Sequence, residues 1–282
     1  MTQRFLSHRR HRRPCIAALF GAALVLVSGA LRAQAPAAIT DLLSTGEYVL
    51  DVDGKDVKAD FFHSERTATF LIESGALPAP VVLVVRTQAA ETADPAKIAR
   101  MASGELMLQP DYRKQSLGEF KIDGEDVLFD VQGKHVRVKP RPPLLGPQSF
   151  ATVRGFKPEY ERNMKAYKPD EATIAALKLL QAPVRVRVFF GSWCPHCTEF
   201  MPNIMRVEEE LKGSKIVIEY YGLPPGTAMR DEPEAKRVGV TGVPTAIVYM
   251  AGREIGRIAG EGWRAPEVTL KDVITSAASS VP

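Results

Sequence analysis

The run Val184-Arg185-Val186-Arg187-Val188-Phe189-Phe190-Gly191-Ser192-Trp193-Cys194-Pro195-His196-Cys197 decides how this chain folds. Its first half is β-branched and aromatic, the composition of a buried strand. Beyond it, Phe200, Ile204, Val207 and Leu211 recur at helical spacing, so a helix begins at the cysteines. A sulfur placed there meets backbone N–H groups without intrahelical acceptors and the positive end of the helix dipole, and both favour an anion. Pro195 sits in the first turn, where a missing N–H costs nothing. His196, when protonated or donating a hydrogen bond, gives the Cys194 sulfur a further stabilising partner. Each pKa unit removed from Cys194 favours the reduced state by about 1.4 kcal/mol. For a two-electron couple that is about 30 mV. A depression of about three units therefore raises the potential by roughly 90 mV and makes the disulfide a better oxidant.

The flanks supply the rest of a small α/β domain. Asp170 caps a helix carrying Ile174, Leu177 and Leu180 on one face, and Pro183 closes it. After the cysteine helix come a strand over residues 216–221, a helix over 232–238, a strand over 244–250, a turn at Gly252-Arg253, a strand over 254–258 and a last helix over 266–278. That order predicts one sheet between helical layers. Phe189 and Phe190 are expected in the strand core, and Trp263, near Gly260 and Gly262, in packing.

Residues 47–140 alternate as strands, with turns at Gly54, Gly124 and Gly133. We read a β-rich α+β domain with a meander-like sheet, in which Asp94-Pro95 opens a short helix through Met101. This domain offers no acid/base cluster, phosphate loop or metal spacing, and His63 and His135 read as ordinary strand residues. Pro140, Pro142, Pro143, Gly146 and Pro147 mark a connector. The expected organisation is a signal peptide over 1–35, the β-rich domain over 36–145, a linker over 146–167 and the α/β domain over 168–282.

At the other end of the chain, Arg9, Arg10, Arg12 and Arg13 precede an uncharged run over residues 14–31 that contains the apolar stretch 16–27, the pattern of a secretory leader cleaved between Ala33 and Ala37. The alternative is an uncleaved anchor, for which a run of about 18 residues is at the lower limit. Cys15 lies ahead of the apolar run and leaves with the leader, so Cys194 and Cys197 are the thiols of the mature chain. Export implies an oxidising compartment, the periplasm. A bridge across two intervening residues restricts the unfolded chain little, so the pair is suited to exchange more than to stapling. Among 282 residues, 45% are apolar and 25% charged, which fits a folded protein and not a polytopic membrane protein. The first 35 residues hold six arginines and no acid, leaving 31 basic against 33 acidic residues beyond them. No basic footprint for nucleic acid or an anionic membrane remains.

The segment from Lys168 onward resembles the thioredoxin superfamily. The resemblance rests on Trp193, the Cys194/Cys197 pair, Pro202 five positions after the second cysteine, Val243-Pro244-Thr245 ahead of a strand, and Gly252 and Gly260. It implies a thioredoxin-like fold in which Cys194 is the nucleophile, Cys197 the resolving thiol, and Val243 with a cis Pro244 the loop that pairs with an extended substrate. Trp193, Pro195 and His196 then tune the thiol. The Pro-His dipeptide is similar to the periplasmic disulfide-oxidant branch, whereas Trp193 is similar to thioredoxin itself. One position departs: the buried acid that the family commonly keeps six residues before the first cysteine is Val188 here, leaving proton transfer to water, Glu199 or another group.

A zinc site needs more ligands than two cysteines and one histidine within four residues, and covalent haem needs histidine where Thr198 stands. The reading is therefore an exported thiol–disulfide oxidoreductase with no cofactor or metal beyond its own dithiol. It acts on protein or peptide thiols and disulfides, and Pro195-His196 favours oxidation. The alternatives are a reductase or isomerase kept reduced by a membrane redox partner, and a non-catalytic binding or assembly module. Oligomeric state and the role of the first domain stay open.

Overall fold

The computed structural model describes residues 37–102 and 104–279, so the expected leader lies outside the described residues. The N-terminal domain is β-rich as expected. Its larger sheet has eight strands in the order Arg113–Glu119, Ala89–Ala93, Val81–Val84, Thr69–Glu73, Asp60–Ser64, Ile39–Thr45, Leu106–Leu108 and Ile98–Arg100. The middle of it is an antiparallel meander. The second sheet runs Lys121–Asp123, Asp126–Val131, Lys134–Pro140, Tyr48–Val52 and Lys55–Val57.

Neighbours in a strand point to opposite faces, yet Phe61 and Phe62 are both buried. Phe61 packs with Leu50, Ile72, Val81 and Phe129 between the two sheets. Phe62 packs with Leu42, Leu71, Val82 and Leu106 on the other side. The larger sheet is thus covered on both faces, which is why its strands read as continuous apolar runs such as Val81-Val82-Leu83. The helix expected after Asp94 shrinks to a single 3₁₀ turn, Pro95–Lys97, because Ile98–Arg100 leaves it to pair with Leu106–Leu108. Asp94 still caps that turn, accepting the Ala96 N–H.

The C-terminal sheet has the order Gly146–Gln148, Ile216–Gly222, Val184–Phe190, Thr245–Met250 and Arg253–Ile258. Only Val184–Phe190 and Ile216–Gly222 pair in parallel, joined through a helix as such a crossover requires. The helices are α1 (Phe150–Phe156), α2 (Pro158–Ala166), α3 (Glu171–Lys178), α4 (Pro195–Glu210), α5 (Ala228–Asp231), α6 (Pro233–Arg237) and α7 (Pro266–Ser279). Ser149 caps α1 and Asp170 caps α3, each accepting an N–H three residues on.

The linker expected over 146–167 is corrected by this arrangement. Gly146–Gln148 is an edge strand of the C-terminal sheet, and Val153, Tyr160 and Met164 of α1 and α2 are buried in one core with Met201, Ile204 and Met205 of α4. Proline density marks a turn into the sheet there, and Pro158 stands at the first position of α2, where proline is tolerated. The boundary between domains is also a packed one. Arg162 of α2 donates to the Ser44 carbonyl and hydroxyl, each at 3.2 Å, and the described residues of the two domains form one compact unit. Among the described residues, no helix is long and apolar enough to cross a membrane.

Candidate active site

Cys194 is the N-cap of α4, with extended backbone (φ −88°, ψ 124°) that turns into the helix at Pro195. Its own N–H donates to the Gly191 carbonyl at 3.0 Å, and its carbonyl accepts the Thr198 N–H at 3.0 Å. The strand end, the Gly191-Ser192-Trp193 turn and the helix are therefore locked together around one sulfur. Gly191 is glycine for a steric reason, since a Cβ would come within 2.6 Å of the Trp193 indole. That indole is held in turn by Nε1–H donating to the Leu223 carbonyl at 2.9 Å.

The two thiols are free and differ sharply in setting. Cys194 is 7% exposed and its pKa is lowered from 9.0 to about 6. The largest cause is the hydrogen bond from the Cys197 thiol; the Cys197 and His196 N–H groups and the His196 charge add to it, against the opposing effect of partial burial. Cys197 is fully buried, and loss of solvation pushes its pKa well up, with the hydrogen bond and charge of Cys194 acting the same way. The Gly191 N–H, 3.4 Å from the Cys197 sulfur, and the charge of Lys157 pull it down. The pair thus loses its first proton from the outer sulfur and keeps the second on the inner one.

The expected loop lies opposite. The Val243-Pro244 bond is cis, and the Val243 carbonyl is 3.8 Å from the Cys194 sulfur, which donates to it as a thiol. Trp263 is buried, as expected, and its Nε1–H donates to the Pro244 carbonyl at 2.9 Å, which anchors the loop. A cleft of about 320 Å³ between the start of α4 and the Pro244 loop has His196, Glu199, Phe200, Val243, Pro244, Trp263 and Arg264 among its lining residues. His196 is exposed and stacks on Phe200, with ring centroids 6.5 Å apart. Pro195 is exposed beside it, and Trp193 is half-buried. Phe189 and Phe190 are both core residues. His135, outside the site, pairs with Asp130 on the surface.

Val188 is buried among apolar side chains in the core, so no acid lies at that position. What stands near Cys197 instead was not legible beforehand. Lys157 is extended between α1 and α2 because Pro158 follows it. Its Nζ is wholly buried, 2.5 Å from Glu47 Oε1 of the N-terminal domain, 2.8 Å from the Ser192 carbonyl and 5.3 Å from the Tyr160 ring centroid. The Tyr160 hydroxyl is buried without a hydrogen-bond partner among the described residues, and its pKa is raised by burial and by the charges of Cys197, Glu47 and Cys194. The only local sign of this cluster was a lysine before a proline, a common surface pattern.

The sequence model of the Thioredoxin family matches residues 178–275. Similar solved structures include a protein of unknown function from Pseudomonas aeruginosa, 14% identical over 46% of this chain and 88% of that one, at a TM-score of 0.35. Another is mitochondrial thioredoxin 3 from Saccharomyces cerevisiae, 23% identical over 39% and 98%, at a TM-score of 0.26. A thioredoxin mutant from Halobacterium salinarum is 22% identical over 41% and 92%, at 0.26. Comparison with curated proteins finds no match.

Proposed function

Because the domain that carries Cys194 and Cys197 belongs to the thioredoxin superfamily, we propose that this protein is an exported thiol–disulfide oxidoreductase acting on protein or peptide substrates in the periplasm. The observation that carries the reading is the asymmetry of the pair: Cys194 ionises near pH 6 at the tip of α4, while Cys197 is held protonated beneath it. The thiolate is the nucleophile in exchange. In the reduced protein, the Cys194 sulfur attacks a substrate disulfide, and one substrate sulfur leaves with the electron pair. Cys197 then loses its proton and attacks the Cys194 sulfur, closing the protein disulfide and releasing the second substrate sulfur.

In the oxidising direction the same steps run backward. A substrate thiolate attacks Cys194, Cys197 leaves, and a second substrate thiolate releases the oxidised product. Low pKa at the attacked position favours this direction, since it stabilises the reduced protein that results. The Val243 backbone, facing the sulfur, suits an extended peptide, and the cleft at His196, Phe200 and Arg264 suits its side chains. Export rests on the leader pattern of residues 1–35. Equilibration of the purified protein against glutathione buffers tests the direction. An oxidising potential supports net oxidation, and a strongly reducing one reassigns the protein to disulfide reduction or isomerisation with a membrane redox partner. Cys197→Ser, which strands the mixed disulfide, tests the activity itself: failure to trap any thiol partner leaves the binding-module reading.

A further inference from the structure

We propose that Lys157 and Glu47 are positioning residues for the resolving step: Lys157 holds a buried positive charge on the Ser192 carbonyl, next in the chain to the Gly191 N–H that meets the Cys197 sulfur, and Glu47, supplied by the N-terminal domain, holds and partly neutralises that charge. The proposal rests on the oxidoreductase reading above. A lysine is almost never fully buried unless its charge is paired. Here the ammonium has two oxygen partners, the Glu47 carboxylate and the Ser192 carbonyl, and lies over the face of Tyr160. Ser192 is two residues from Cys194, so the charge is tied to the turn that carries the nucleophile. Glu47 is 110 positions from Lys157, and its side chain is 43% exposed, so the inner charge is linked to solvent through the other domain.

The contact is built, not incidental. Gly46 packs so tightly on Lys157 that a Cβ at Gly46 would overlap the lysine backbone and side chain. The Gly46 N–H donates to both oxygens of Glu159, at 3.2 and 3.1 Å, and the Arg141 guanidinium donates to the Gly46 carbonyl at 2.6 Å. The charged and titratable groups facing the couple are therefore Glu159 and Tyr160 of α2, Arg141 and Tyr48 of the N-terminal domain, and the cysteine pair at the start of α4. With Val188 in place of an acid, the Lys157 charge favours the Cys197 thiolate, against the opposing charge of Cys194.

Resolution begins when Cys197 gives its proton to solvent. Its thiolate attacks the Cys194 sulfur, the Cys194–Cys197 bond forms, and the bond from Cys194 to the substrate breaks. The electron pair leaves on the substrate sulfur, which takes a proton from solvent. The only oxidant consumed is the substrate disulfide. A fixed positive charge lowers the cost of the developing thiolate on Cys197, and Glu47 limits how far.

The test uses the full chain in its reduced form and the aromatic disulfide dithiobis(nitrobenzoate), which releases one coloured thiolate on capture by Cys194 and a second on resolution by Cys197. In Lys157→Met the pH profile of the second release moves up by about one unit, a roughly tenfold loss at pH 7, while the first changes much less. Lys157→Arg restores the profile. Glu47→Gln keeps an oxygen for Lys157 but removes the negative charge, so its profile moves down. Opposite shifts are the signature of charge, since a purely structural contact moves both variants the same way. Same-direction shifts, or unchanged profiles, overturn the proposal. Should Lys157→Met not fold, the Glu47→Gln shift decides alone. Absence of the first release in the unmodified protein instead refutes the oxidoreductase reading.

Discussion

The side-chain amide of Asn163 donates to the Thr198 carbonyl at 3.2 Å, and Thr198 is the residue whose helical partner would be the N–H that Pro202 lacks. A proline inside α4 thus leaves an acceptor open at the residue after Cys197, and α2 fills it. Asn163→Ala is expected to cost about 1–2 kcal/mol in urea unfolding, the penalty of an unmet carbonyl. In a Pro202→Ala background, Ala supplies the N–H and the same substitution costs far less. Additive effects in that double-mutant cycle would show that the two are not coupled.

Alkylation of Cys194 by iodoacetamide is expected to rise with pH about a midpoint near 6, not near the ordinary thiol value of 9.0. The chief cause is the Cys197 hydrogen bond, so Cys197→Ala moves the midpoint upward. In Cys194→Ser, the remaining Cys197 reacts slowly throughout this range, because it is buried. A wild-type midpoint close to 9 would remove the basis of the proposed chemistry.

The same ionisation predicts how stability depends on pH. The folded pKa of Cys194 lies below its unfolded value, so the stabilisation is complete above the unfolded value of 9.0 and is lost as pH falls through about 6. Denaturant midpoints of the reduced protein, compared with Cys194→Ala at pH 5, 7 and 9, are expected to diverge with increasing pH. The slope between 6 and 9 is on the order of 1 kcal/mol per pH unit. The oxidised protein has no thiol to ionise and shows no such divergence, so a parallel pH response of both forms contradicts the assignment.

Trp263→Phe removes the donor that holds the Pro244 carbonyl and leaves a small void. The expected cost is about 2–3 kcal/mol from the lost hydrogen bond and packing. Because the loop at Val243 and Pro244 faces Cys194, trapping of a peptide in the Cys197→Ser background slows as well, while alkylation of Cys194 by a small reagent does not. Equal slowing of both reactions would mean that Trp263 acts on the thiol and not on the loop.

Local patterns were enough to identify the C-terminal domain. The strand at Val184–Phe190 shows as an apolar run, α4 as a helical period starting at Cys194, and α3 by its Asp170 cap, since each depends on interactions among near neighbours in the chain. The Val243-Pro244 loop and the thiol pair were recognised for the same reason, as short motifs read in order. The packing of residues 146–167 is not legible in the sequence, because proline and glycine density signals a break in local structure but says nothing of what packs on it; α1 and α2 are held by a core completed from α4.

Chemistry local to the chain made this a cysteine pair at a helix tip, and that much required no fold. Which charge is buried against the active-site turn was set only in three dimensions. Glu47 and Lys157 carry no common motif and meet across 110 positions, through a glycine that admits no side chain and a backbone extended by the following proline. Burial turns that meeting into an electrostatic effect, because a charge removed from water acts more strongly on its neighbours than it does in solvent.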